Sequence, residues 1–155
     1  MNSVIVFCAQ YLYLIIIIGL GISWIKTTKN QKTKFILVTI VAGIIAFIVS
    51  RIASRLYYDP RPFVAQHVKP LITHAADNGF PSDHALLTMA LTAVTYFFNK
   101  KIAAGMLILT VIVGIARILA KVHSPLDIST GWLIGVVGAV TGYYIVSYFW
   151  SKKSK

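Results

Sequence analysis

Five long apolar runs dominate this sequence of 155 residues, at positions 3–25, 35–56, 82–98, 102–119 and 126–150. A run of about 18 or more apolar residues can cross the hydrocarbon core of a bilayer as a helix, and the third and fourth runs lie near that lower limit. Charged residues make up only 12% of the chain, which excludes an ordinary soluble domain. The sequence therefore predicts an all-α integral membrane protein. We expect a bundle of about five transmembrane helices forming a single membrane-embedded domain over residues 1–155, with a short interfacial segment between helices two and three.

The lysines indicate how the chain is oriented in the membrane. Nine of the fifteen basic residues fall on the loops and tail that five crossings place on one face: Lys26, Lys29, Lys32, Lys34, Lys100, Lys101, Lys152, Lys153 and Lys155. The positive-inside rule makes that face cytoplasmic. The net charge of +11 is then explained by topology, and no nucleic-acid partner is expected. We expect a multi-pass protein of the cell membrane, with its N-terminus outside and its C-terminus in the cytoplasm.

The opposite face receives all the arginines, histidines and aspartates of the chain, which has no glutamate. These residues are Arg51, Arg55, Arg61 and Arg117, then His67, His74, His84 and His123, then Asp59, Asp77, Asp83 and Asp127. A guanidinium group is a planar, permanently charged fork that suits a phosphate or a carboxylate. We therefore expect an anion-binding site that faces outward.

Two short stretches have both a structural and a functional interpretation. Ser82 follows a proline at the start of the third run, where it can cap a helix, but a helix N-terminus is also an anion site. Ser124-x-x-Asp127 is a variant of the capping box. Asp127 can equally orient the His123 ring, as the third member of a nucleophile–base–orienter triad does. The sequence leaves these alternatives open.

The segment 57–81 carries a second helical pattern. Apolar residues at positions 64, 68, 71, 72 and 75 predict a short amphipathic helix on the bilayer surface, which Pro70 would kink or limit. His67, His74 and Asp77 are interpreted first as surface residues. A metal site formed by these three is only a weak alternative, because their spacing does not bring ligands together in an obvious way.

Three motifs resemble a known family. DPRPF at 59–63, FPSDHA at 80–85 and Arg117-x5-His123-x3-Asp127 are similar in order and spacing to the signature motifs of the type 2 phosphatidic acid phosphatase superfamily. With the segment LITHAAD, they look most like the bacitracin-resistance type of undecaprenyl-diphosphate phosphatase. The resemblance implies His123 as the nucleophile, Asp127 as its orienting carboxylate and His84 as the acid–base residue. It also implies phosphate binding by Arg61, Arg117, Ser82 and the backbone amide of Asp83.

Two positions depart from the family pattern. Ser54 stands where the family has Lys, and we expect Arg55 to substitute for it, with Arg51 as the alternative because it shares the helix face of Ser54. Ala116 stands where the third motif usually has Ser.

The resemblance implies hydrolysis of the terminal phosphate of undecaprenyl diphosphate through a phosphohistidine. Because three guanidinium groups can supply the charge that a metal supplies elsewhere, we expect no metal or other cofactor. A phosphatidylglycerophosphate or phosphatidate monophosphatase stays open as an alternative, as does a non-catalytic anion-binding or transport membrane protein. The expected partner is a lipid phosphate or diphosphate held in the bilayer. The sequence does not indicate an oligomeric state.

Overall fold

The computed structural model describes residues 2–153, and Lys155 of the predicted cytoplasmic face lies outside them. The described residues form seven helices and no β-strand. The helices are α1 (Asn2–Gln10), α2 (Leu12–Lys26), α3 (Lys29–Leu56), α4 (Pro62–Ala65), α5 (Asp83–Tyr96), α6 (Lys100–Leu119) and α7 (Pro125–Lys153). The predicted all-α class is confirmed.

Within this range, three helices are long and apolar enough to cross a membrane by themselves, namely α3, α6 and α7. The pair α1–α2, bent by 42°, makes a fourth if it counts as one span. Helix α5 has only 14 residues, about 21 Å of helix, which is less than the roughly 30 Å of a bilayer core. It ends early because the chain turns there into the cap of α6, where the Asn99 side chain accepts a hydrogen bond from the Ile102 amide at 3.1 Å.

The bundle is packed around α7, which lies against both α3 and α5. Its glycines allow this close approach: a Cβ at Gly135 would lie 2.7 Å from the Leu86 carbonyl oxygen, and one at Gly138 would lie 2.8 Å from the Cβ of Ala46. Small residues let the backbones of membrane helices come this near. The packing gathers the end of α3, the start of α5, the end of α6 and the start of α7 at one end of the bundle, and the lysine-rich turns lie at the other.

The predicted amphipathic helix in the segment 57–81 is wrong, since only the single turn α4 forms there. His67 has a φ of 52°, a left-handed conformation that ends a right-handed helix. The backbone is instead tied to the loop after α6, through hydrogen bonds from Phe63 N to Lys121 O at 3.0 Å and from Leu71 N to Ala120 O at 3.2 Å. The apolar residues Leu71 and Ile72 pack against the end of α6. The segment therefore lies across the end of the bundle and is held against the end of α6.

Candidate active site

A cavity of about 330 Å³ opens at this end of the bundle. Five of the residues predicted for the site line it: Arg61, Asp83, His84, Arg117 and His123. Its size lies in the range of small-molecule sites. The three sequence motifs, which span residues 59 to 127, therefore meet around one space.

His123 lies in the loop between α6 and α7, and only 3% of it is exposed. Its Nδ1 atom is 3.2 Å from Asp127 Oδ2. Its Nε2 atom is 3.2 Å from Arg117 Nη2 and 3.4 Å from Arg61 Nη1. Guanidinium groups only donate, so Nε2 is the acceptor and the proton is on Nδ1, where it is donated to Asp127. The electron pair of Nε2 thus faces two cations, Arg117 and Arg61.

The surroundings of His123 keep its ring neutral. Burial lowers the pKa of His123; the hydrogen bond to Asp127 opposes this shift, and the charges of Arg117 and Arg61 add to it. The net direction is below the ordinary value for histidine. An uncharged imidazole is the form that can act as a nucleophile.

Asp127 makes the contacts that both of its interpretations require. It is fully buried, and its Oδ2 atom accepts from the amide of Ser124 at 2.8 Å as well as facing His123. The Ser124 hydroxyl in turn accepts from the Asp127 amide at 3.1 Å, which completes a capping box at the start of α7. The same hydroxyl donates to Asp59 Oδ2 at 2.8 Å. The helix cap therefore holds the carboxylate that contacts His123.

Arg61 and Arg117 are each fixed on one side by a protein acceptor. Arg61 is 5% exposed and donates from Nε to Asp77 Oδ1 at 2.7 Å and from Nη1 to the Val122 carbonyl at 2.9 Å. That contact with Arg61 lowers the pKa of Asp77. Arg117 is 2% exposed and donates to the Ala9 carbonyl at 3.1 Å. Among the described residues, Arg117 forms no ion pair with a carboxylate, so this buried cation is suited to an anion in the cavity.

The start of α5 offers further hydrogen-bond donors. Ser82 is fully buried, and its hydroxyl does not cap the helix. Among residues 2–153, this hydroxyl has no hydrogen-bond partner. The free amides of the first turn lie at the same place. A buried hydroxyl without a partner at a helix N-terminus is suited to an anionic ligand.

Arg51, and not the expected Arg55, lines the cavity. Ser54 also lines the cavity. Arg51 lies one turn before Ser54 on the same face of α3. Arg55 is on the adjoining face and is exposed. Arg51 donates from Nη2 to Asp83 Oδ1 at 2.5 Å. Because Arg51 faces the cavity and Arg55 does not, Arg51 is the better candidate for the residue that replaces the family's Lys.

Asn78 precedes Gly79, and an Asn-Gly pair indicates a turn. Its Oδ1 atom accepts from the amides of Asp59 and Phe80, each at 3.0 Å. Its Nδ2 atom donates to the carbonyls of Ser54 at 3.0 Å and Tyr57 at 2.9 Å. It therefore joins the end of α3 to the segment that enters α5. The Asn-Gly pair is the only local signal of such a role.

His74 also lines the cavity, with its ring centre 6.2 Å from that of His123. Burial, together with the charges of Arg61 and Arg117, lowers the pKa of His74. His67 is exposed and does not line the cavity. Within the described residues, no group of three or more His, Cys, Asp or Glu could hold a metal ion.

Comparison with known proteins gives the family. The sequence model of the PAP2 superfamily matches residues 31–151. The bacitracin transport permease protein BcrC of Bacillus licheniformis is 36% identical over 142 residues, which are 90% of this chain and 69% of that protein. The undecaprenyl-diphosphatase BcrC of Bacillus subtilis (strain 168) is 31% identical over 137 residues, which are 88% of this chain and 70% of that protein.

A solved structure shares the fold. The crystal structure of Aquifex aeolicus LpxE superimposes with a TM-score of 0.75 at 22% identity, covering 92% of this chain and 86% of that one. The resemblance read from the three motifs is confirmed. The chain belongs to the PAP2 superfamily and is a membrane lipid phosphatase.

Proposed function

We propose that this phosphatase hydrolyses undecaprenyl diphosphate to undecaprenyl phosphate and inorganic phosphate, and that His123 forms a phosphohistidine on the way. The observation that carries the proposal is the position of His123 Nε2, which lies 3.2 Å from one buried guanidinium group and 3.4 Å from another. A nucleophile in that place attacks a phosphorus atom whose oxygens the same cations hold.

In the first step the terminal phosphate lies in the cavity against Arg61, Arg117 and Arg51. The hydroxyl of Ser82 and the backbone amide of Asp83 donate to its remaining oxygens. Nε2 attacks phosphorus in line, a P–N bond forms, and the bridging P–O bond breaks to release undecaprenyl phosphate. Positioning and charge stabilisation supply most of the rate enhancement in such transfers.

In the second step water hydrolyses the P–N bond. His84 protonates the leaving oxygen in the first step and then, as a neutral base, takes a proton from the attacking water. Asp127 stabilises the positive charge that develops on the His123 ring. The three arginines supply the positive charge that a metal ion supplies elsewhere, so we expect full activity in EDTA, and loss of activity in EDTA would overturn this step of the proposal.

The choice of lipid rests on the relatives and on chemistry. One relative is named an undecaprenyl-diphosphatase. A diphosphate expels a phosphomonoester, which is a better leaving group than the alkoxide expelled by a phosphate monoester. We therefore expect His84→Ala to retain measurable activity on the diphosphate, while His123→Ala retains none. The apolar helix surfaces next to the cavity are suited to holding a prenyl chain in the bilayer.

The orientation of the site follows from charge. The cavity lies at the end of the bundle opposite the lysine-rich turns, and the positive-inside rule assigns the lysines to the cytoplasm. We therefore propose an active site on the outer face of the cell membrane, in one domain formed by the whole bundle. A transporter would instead have its polar groups near the middle of the membrane.

Release of inorganic phosphate by the purified protein tests the proposal. Undecaprenyl diphosphate is compared with phosphatidate and phosphatidylglycerophosphate, and His123→Ala is compared with the control His67→Asn, which changes an exposed histidine of the same end of the bundle. We expect the diphosphate to be the best substrate and only His123→Ala to be inactive. Preference for a monophosphate would favour the alternative lipid monophosphatase, and activity in His123→Ala would overturn the mechanism.

A further inference from the structure

The bent helix pair α1–α2 reaches the active site from outside the segment that the family's sequence model matches, residues 31–151. The bend lies at Tyr11, between the last residue of α1 and the first residue of α2. Two residues that flank the bend, Ala9 and Tyr13, contact two different groups of the proposed catalytic machinery. They lie two positions before and two positions after the bend.

The first contact fixes Arg117. Ala9 is fully buried and packs with Ala116 and Ala120 of α6 and its end. Because α1 ends at the next residue, the Ala9 carbonyl is one of the helix's last carbonyls, which lack partners within the helix. It accepts from Arg117 Nη1 at 3.1 Å, while Arg117 Nη2 faces His123 at 3.2 Å. The end of α1 thus holds one arm of a guanidinium group whose other arm is at the nucleophile.

The second contact orients His84. The ring of Tyr13 meets the ring of His84 edge to face, with centres 5.2 Å apart and planes at 86°. This is a favoured geometry for aromatic pairs. Among residues 2–153, no protein group hydrogen-bonds the His84 side chain, whereas the His123 ring is held by Asp127. Packing against Tyr13 is therefore what sets the direction in which the His84 nitrogens point.

We propose that the bent pair α1–α2 is a positioning element of the active site, in which Tyr13 orients His84 and the Ala9 carbonyl aligns Arg117. The proposal rests on the roles that the proposed function gives to His84 and Arg117. Tyr13 does not touch the reacting atoms and is a positioning residue. Small misplacements of a catalytic group cost large factors in rate, about a hundredfold for 1 Å.

The test is a double-mutant cycle between Tyr13→Ala and His84→Ala, measured on undecaprenyl diphosphate. We expect Tyr13→Ala to lower kcat about tenfold, and Tyr13→Phe, which keeps the ring, to stay near the wild-type value. In the His84→Ala background, Tyr13→Ala should cause no further loss, because the group it orients is gone. Tyr144→Ala, an exposed tyrosine of α7, is the matched control and should leave kcat unchanged.

A second readout separates positioning from a general loss of structure. Since a diphosphate needs little help from an acid, a poorly oriented His84 should mainly slow the attack of water on the phosphohistidine. The fraction of phosphorylated enzyme at steady state should therefore rise in Tyr13→Ala, as it should in His84→Ala. If Tyr13→Ala does not fold, Tyr13→Leu keeps the bulk of the side chain without the ring and should show the same rise.

The outcomes distinguish the two proposals. If His84→Ala is impaired while Tyr13→Ala matches the wild type, or if the two losses multiply in the double variant, the positioning role is overturned and the proposed function stands. If His84→Ala itself is unimpaired and accumulates no phosphoenzyme, the acid–base role of His84 is overturned. The positioning role of Tyr13 is then overturned as well, because it depends on that role of His84.

Discussion

Replacing Gly79 by alanine should disturb catalysis although Gly79 is not itself a catalytic residue. Gly79 is buried just before α5, and its amide donates to the Asp59 carbonyl at 2.9 Å. A Cβ at this position would lie 2.9 Å from Asp127 Oδ2 and 3.2 Å from the Asp59 carbonyl oxygen. The first distance is about 0.5 Å short of the 3.4 Å at which ordinary contact begins. Something must therefore move.

The carboxylate of Asp127 is the group that gives way at the greatest cost to the reaction. It is held by His123 Nδ1 at 3.2 Å and by the Ser124 amide at 2.8 Å. The first of these contacts is already long, so a shift of a few tenths of an ångström breaks it. A hydrogen bond to a charged group contributes about 1.5–3 kcal/mol, and its loss in the transition state lowers kcat about 10- to 150-fold. Overpacking should also lower the free energy of unfolding by about 1–3 kcal/mol.

The assay is kcat for phosphate release from undecaprenyl diphosphate, with thermal unfolding measured on the same samples. Gly43→Ala is the matched control, since a Cβ at Gly43 on α3 meets nothing within 4 Å. We expect Gly43→Ala to keep the wild-type kcat. A Gly79→Ala protein with wild-type kcat would refute the reasoning, because the position of Asp127 would then not matter to the reaction.

Three further predictions follow from the site. Arg51→Ala should lower kcat/KM about tenfold, because it removes a charged donor from the cavity. Arg55→Ala should change kcat/KM less than about twofold. The opposite order would restore Arg55 as the substitute for the family's Lys. Ser82→Ala should lower kcat/KM about tenfold with an unchanged or higher unfolding temperature, since the hydroxyl has no partner among the described residues; a large loss of stability would show a structural role instead. Burial and the charges of Arg117 and Arg61 lower the pKa of His123, so the neutral nucleophile should persist as the pH falls. The acid limb of kcat/KM should therefore have its midpoint below about 6.5. A midpoint above that value would contradict the assignment of His123 as the nucleophile.

The sequence could predict that the three motifs lie at the same end of the bundle, because this depends only on how many times the chain crosses the membrane. Each apolar run carries the chain from one face of the membrane to the other. The residues around Arg61, His84 and His123 therefore fall at one end of any bundle with these spans. The structure brings these residues together around one cavity. The choice between Arg51 and Arg55 was harder, because it depends on which face of α3 turns inward. Arg51 lies three positions before Ser54, and Arg55 directly follows it.

Other features could not be predicted because they depend on contacts between distant parts of the chain. The apolar residues of the segment 57–81 have helical spacing, but Leu71 and Ile72 are spaced to cover the end of α6. The Ala9 carbonyl binds Arg117 across 108 positions, and nothing in the local sequence marks it. Asn78 accepts one hydrogen bond from the nearby Phe80 amide, but its other partners lie 19 to 24 positions earlier in the chain. Such pairs become visible only when the bundle is assembled.

Trapping the covalent intermediate is the most direct test of whether His123 is the nucleophile. The purified protein is mixed with undecaprenyl diphosphate labelled in its terminal phosphate, quenched in alkali within one turnover, and digested for mass spectrometry. We expect an acid-labile, alkali-stable phosphoryl group on the peptide that contains His123, and none in His123→Ala. A phosphoryl group on another residue, or turnover with no labelled protein at any quench time, would contradict this expectation.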